Sequence, residues 1–214
     1  MGKLAWNSYG ENVYEHGVDR VVAYPEGGIG VSWSGVTRIS EKNDTAVDGY
    51  YLDGLKYVQV PSYGEYSASL ETYGIPLELS PCVGFAQLSP GLFATNQRRR
   101  SFGLAYRTFI GNEDSSQLAY KLHLVYNAVA NPSFGESTTI KDSPEPTSHS
   151  LELTTMPPSG AVPNLQPTAH LILDSRYAPA EVMEDVEQIL YGTESLEPRL
   201  PTPNELLLLT STSP

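Results

Sequence analysis

A single cysteine, Cys82, stands among 214 residues, so no intrachain disulfide can form, and no second thiol or nearby histidine supplies a zinc partner or a catalytic base. The fold must hold without covalent staples. Charge is scarce too, at 18% of residues, and it leans acidic: 13 Lys and Arg against 25 Asp and Glu leave a formal net charge of -12. Such a chain repels phosphates and has no basic stripe with which to displace counterions, which argues against specific DNA or RNA readout. No stretch approaches the roughly 20 apolar residues of a spanning helix, and the opening MGKLAWNSYGENVY has no apolar leader core. These absences predict a chain made in the cytoplasm with no membrane partner. Trp6 stands where the myristoylation pattern needs Ser or Thr.

What the sequence does contain is turn formers and phenols. Its 18 Gly and 17 Pro are spread between apolar runs, as many strands punctuated by turns require, and an all-helical protein is excluded. The 14 Tyr outnumber 5 Phe and 2 Trp. Tyrosine suits half-buried sheet faces and subunit contacts, where the ring packs and the hydroxyl keeps a hydrogen bond. The length allows one good core with arms, so one domain is expected.

RVVAY at 20–24 and VSWSGVTRIS at 31–40 read as a hairpin, and 41–60 as a loop or small hairpin. GEYSASLETYG alternates, with Tyr66, Ala68, Leu70 and Thr72 on one side. Prolines and glycines make 74–97 a long excursion, and 131–148 a polar arm. Between them, SFGLAYRTFIG groups Phe102, Leu104 and Tyr106, and YKLHLVYNAVA groups Tyr120, Leu122, Leu124 and Tyr126. SLELTT and TAHLILDS follow as strands. A helix is predicted over 179–191, with Pro179 at its first position, an apolar stripe of Val182, Val186, Ile189 and Leu190, and Gly192 at its cap. Residues 198–214 open with prolines and read as an extended tail carrying Leu206, Leu207 and Leu208.

No catalytic, cofactor or metal site emerges. His16, His123, His149 and His170 are scattered, and no pair has the spacing that puts two imidazoles on one helix face or one side of a strand. There is no G-x-S-x-G elbow, and in PEGGIG the third fingerprint glycine falls on Trp33. Asp44, Asp48 and Asp53 miss the calcium-loop spacing and read as solvated turns. Arg98, Arg99 and Arg100 are the sharpest basic feature. They fit either an electrostatic contact to an acidic patch of a neighbouring subunit or a solvated strand entrance with Arg100 paired locally.

Several segments in order, MGKLAWNSYGENVYEHGVDRVVAY, YYLDGLKY, GEYSASLETYGIP, RRRSFGLAYRTFIGN, YKLHLVYNA, PTAHLILDS, ILYGTES and LPTPNELLLL, resemble the major tail (tube) proteins of long-tailed, siphovirus-type bacteriophages, in particular those of actinobacteriophages. The resemblance implies a mainly β fold, a sandwich or barrel-like tail-tube domain with one packed helix. It implies a non-enzymatic virion protein whose hexameric rings stack helically into a hollow tube, through which DNA is delivered without specific binding. Its partners would be itself, the tape measure protein, the tail terminator and distal tail proteins, with assembly in the host cytoplasm and residence in the virion tail. Within that reading, 1–197 is the tube domain and 198–214 its C-terminal tail. Arg98, Arg99, Arg100, Leu206, Leu207 and Leu208 are candidates for intersubunit contact, and Asp48, Glu65 and Glu71 for an acidic lumen. Two other readings remain. One is a different β-rich virion component, such as a head decoration, head-tail connector or adhesin-like protein. The other is a carbohydrate-active sandwich enzyme, which would need two carboxyl groups converging in a cleft with aromatics.

Overall fold

A computed structural model describes residues 10–43, 47–53, 55–61, 65–133, 139, 146–158 and 166–212. In chain order its strands are β1 (Tyr14–Pro25), β2 (Val31–Ser32), β3 (Val36–Asn43), β4 (Val47–Leu52), β5 (Leu55–Pro61), β6 (Tyr66–Thr72), β7 (Ala86–Ser89), β8 (Leu92–Ala94), β9 (Phe102–Gly111), β10 (Ala119–Ser133), β11 (His149–Thr154) and β12 (His170–Asp174). Two helices close the chain, α1 (Ala180–Tyr191) and α2 (Pro203–Thr212), and a 3-10 turn covers Leu77–Leu79. The protein is mainly β, as its alternating runs require.

β10 organises the sheet because it changes partner along its length. Lys121 to Val125 pair with Asp174 to His170 of β12, whereas Val129 to Ser133 pair with Thr154 to Ser150 of β11. Between these stretches Asn127 adopts φ 48, and the register with β9 shifts between Val125 and Ala128. Asparagine tolerates this left-handed conformation, and the bulge bends the strand. The path β2-β1-β9-β10-β11-β6-β3, with β12 on β10, thereby divides into two halves that share one strand.

The halves enclose one core. Val21 and Ala23 from β1 and Phe102, Leu104 and Tyr106 from β9 meet Ala68 and Leu70 from β6 and Leu151 and Leu153 from β11. The opposite face of β9 and β10 carries Ala105, Leu122, Leu124 and Tyr126, covered by Val182, Met183, Val186 and Leu190 of α1. Alternation at period two sorts β1, β9 and β10 between these two cores, so the layers run sheet, sheet, helix.

Four expectations need correction. Pro179 (φ -56, ψ 144) caps α1 from outside instead of opening it, and Met183 joins the buried stripe while Ile189 is only half-buried. The second hairpin strand breaks after Ser32: Trp33 turns into the core, its Nε1 donating to the Gly74 carbonyl at 2.8 Å, and Val36–Asn43 joins the other half as β3. The excursion at 74–97 is not all arm, because its 3-10 turn delivers Leu79, Cys82 and Val83 to the core before β7 and β8 pair. The tail is helical, not extended, over Pro203–Thr212. The Glu205 amide donates to Thr202 Oγ1 at 3.3 Å and the Thr202 amide to Glu205 Oε2 at 3.4 Å, a reciprocal capping box with proline at the first helical position. Of the arm expected at 131–148, residues 131–133 end β10, and 134–138, 140 and 141–145 lie outside the described residues.

Candidate assembly surfaces and a histidine-carboxylate cluster

Two hairpins stand apart from the main sheet. Among the described residues β4 pairs only with β5, and β7 only with β8, each as its own two-stranded sheet. Leu55 and Tyr57 of β5 are 75% and 72% exposed, and Leu88 and Leu92 of the second hairpin are 68% and 55% exposed. An isolated hairpin is marginal in water, and these exposed side chains find little cover among the described residues. β3 and β12 each pair along one side only among the described residues, leaving backbone groups at two sheet edges.

The candidate contact residues divide. Arg98, Arg99 and Arg100 are all exposed, and with Glu26, Gln97, Ser101, Val129 and Met156 they line an open cleft of about 780 Å³. Among the described residues none of the three guanidiniums has an ion pair; Glu26 instead accepts the Ser101 hydroxyl at 3.1 Å. Leu207 and Leu208 face outward, but Leu206 is buried in the core beneath α1 and is spent inside its own domain. Of the candidate lumen carboxylates, Glu65 is exposed and Glu71 lies 3.9 Å from Arg38. Asp48 sits opposite Val60 on β4, and its side chain lies outside the described residues.

The fold assembles a cluster that linear spacing hid. His123 on β10 and His170 on β12 are 47 residues apart, yet the pairing of these strands sets His123 Nδ1 3.2 Å from His170 Nε2. Glu41 of β3 closes the group from the opposite half, its Oε1 3.4 Å from His123 Nδ1. On the far side of the His123 ring, Nε2 lies 3.0 Å from Thr108 Oγ1 and 3.4 Å from Glu15 Oε1. Thr108 gives its one hydroxyl proton to Glu15 at 2.6 Å, so it accepts from His123 Nε2. Nδ1 is thereby left facing Glu41 and His170. Tyr106 stacks on the His123 ring at 4.5 Å and donates to Glu41, while Tyr66 packs on His170 at 4.3 Å.

Electrostatics follow from this packing. Hydrogen bonding with His123, then with Tyr106, outweighs burial and lowers the Glu41 carboxyl to about 2. Burial lowers His170 to about 4 against the pull of Glu41, which keeps it neutral at pH 7. Burial pushes Glu15 up, but hydrogen bonds from Lys121 and Thr108 reverse it and the net shift is downward. Desolvation raises the Tyr106 and Tyr66 phenols well above their ordinary range. Glu15, Glu41, Tyr106 and Thr108 share the wall of a cleft of about 350 Å³ with Gly17, Val18, Thr37, Arg38 and Ile39. No residue-to-residue spacing in the sequence signals this meeting; only the β10–β12 register, set by Leu122 facing Leu173 and Leu124 facing Leu171, produces it.

No family model and no curated protein matches the chain. Among solved structures it is similar to a chain in the six-fold symmetrised cryo-EM structure of the anti-feeding prophage (AFP) baseplate, at 10% identity and a TM-score of 0.33, over 81% of this chain and 97% of that one. So distant a likeness identifies neither fold nor function.

Proposed function

We propose that the chain is a structural subunit that assembles with its own copies, six to a ring and ring on ring, into the tube of a long-tailed phage tail. The observation that carries this reading is the pair of separate hairpins with exposed Leu55, Tyr57, Leu88 and Leu92. A neighbouring copy offers each the apolar cover that its own domain withholds, and the open edges of β3 and β12 offer backbone partners. A contact that repeats with a rise gives a filament instead of a closed oligomer. The collinear sequence resemblance supports the same reading, and it brings the tape measure, terminator and distal tail proteins as partners. The net charge of -12 suits a lumen that lets DNA pass without adhering, with Asp48, Glu65 and Glu71 as candidates to line it.

The carbohydrate-active reading is the weaker one. Glu15 and Glu41 do share a cleft with Tyr106, but Thr108, His123 and Lys121 already engage both Glu15 oxygens, and Tyr106 and His123 engage Glu41 Oε1. Sedimentation and negative-stain microscopy of the purified protein over a concentration series test the proposal. Rings or tubes are expected. A monomer at every concentration, absent from purified particles, would overturn it, and rings located in the head or connector would transfer the chain to another virion component.

A further inference from the structure

We propose that Glu41, His123 and His170 form a site for one divalent transition-metal ion of the zinc class, held by His123 Nδ1, His170 Nε2 and a Glu41 carboxylate oxygen. Two of the three separations are those that an ion imposes. Two ligands at roughly 2.0–2.1 Å on a tetrahedral centre stand about 3.3 Å apart; here His123 Nδ1 is 3.2 Å from His170 Nε2 and 3.4 Å from Glu41 Oε1. All three ligand atoms lie within 4.8 Å of one another. The ion would take the place of the proton these groups share.

The surroundings are those of a prepared ligand set. Metal-bound imidazoles generally give their other N–H to a carboxylate, a backbone carbonyl or water, which fixes the tautomer and raises ligand basicity. His123 does this through Thr108 and Glu15. Glu41 is oriented by the Tyr106 hydroxyl, and the rings of Tyr106 and Tyr66 lie against His123 and His170 respectively. The His123 side chain is 4% exposed, whereas that of Glu41 is 43% exposed, so an ion reaches the buried His123 and half-buried His170 along the carboxylate. Two nitrogens and one oxygen leave a fourth position for water. The ligands come from β3, β10 and β12, so the ion ties the open edges of both halves to the shared strand. Because residues 41, 123 and 170 meet only in the folded chain, binding adds to folding stability. The site is independent of the tube reading and stands whether or not the chain polymerises.

The test uses chelator-stripped full-length protein titrated with Co(II) chloride, read by the visible ligand-field band of tetrahedral cobalt, and with Zn(II) chloride, read by the melting temperature. Expected are saturation at one equivalent, a rise in melting temperature with zinc, and affinity weakened about tenfold or more in His170→Gln and in Glu41→Gln. Should His170→Gln fail to fold, Glu41→Gln, altered at a half-exposed carboxylate, carries the comparison. No saturable signal in the parent protein would overturn the proposal. So would a signal unchanged in the folded variants, since the ion would then be held elsewhere.

Discussion

Arg107 grips Asp19 with two parallel hydrogen bonds, Nε to Oδ1 at 2.8 Å and Nη2 to Oδ2 at 2.6 Å, across the most irregular stretch of the β1–β9 pair. The register shifts on both sides of Asp19, where Gly17 and Arg20 adopt positive φ. Arg107 also lies over the rings of Phe109 and Tyr120 at 4.9 and 5.2 Å. The pair thus pins a strand that its own ladder holds poorly. Asp19→Ala should cost about 1–2 kcal/mol, the usual range for a charge-assisted hydrogen bond that is partly open to solvent. Urea unfolding of the single and double variants, with Arg107→Met as the second change, would isolate the coupling; additive losses would deny it.

The leucine run of α2 should separate by burial. Leu206→Ala removes a buried side chain from the core beneath α1 and should cost about 2–4 kcal/mol. Leu208, 66% exposed, should change monomer stability by less than about 0.5 kcal/mol. Equal effects in thermal melts would mean that α2 does not dock as described.

Gly192 should resist any side chain. Its φ of 78 and ψ of 170 belong almost to glycine alone, and an added Cβ would lie 2.8 Å from the Leu196 carbonyl oxygen and 3.0 Å from the Pro198 nitrogen. Gly192→Ala should lose about 1–3 kcal/mol. Gly74→Ala, which meets nothing within 4 Å, serves as the control.

Acid should loosen the C-terminal helix. Arg199 hydrogen-bonds the Glu205 carboxyl at 2.8 and 2.5 Å and holds it below its ordinary 4.5. A carboxyl lowered on folding stabilises above its unfolded value, and that contribution disappears as pH falls through the folded one. Stability measured downward from pH 4.5 should therefore fall less steeply in Glu205→Gln than in the parent. Parallel curves would remove this pair from the acid response.

The arginine trio offers a test of assembly apart from folding. Arg98, Arg99 and Arg100 are exposed and free of ion pairs among the described residues, so replacing all three with alanine should leave the melt unchanged while reducing ring or tube formation under the microscope. Assembly at parental levels would return them to the solvated strand entrance.

Strand alternation was legible because period two leaves a mark on each run separately: Leu122, Leu124 and Tyr126 share the helix-side core, and Phe102, Leu104 and Tyr106 the other. α1 was legible from its stripe and its terminal glycine. The capping box of α2 was also present in Thr202 and Glu205, but the prolines around it weighed toward an extended chain. The histidine cluster had no such mark. It depends on which strands become neighbours, and nothing local to His123 or His170 encodes that β12 will lie beside β10.

Because β10 runs uninterrupted from one half of the sheet into the other, the halves are joined by covalent chain and not by side-chain packing alone. A pull applied to either half travels along that backbone, and slippage between the halves must first unzip hydrogen bonds to β9, β11 and β12. The two described halves should therefore bear load together.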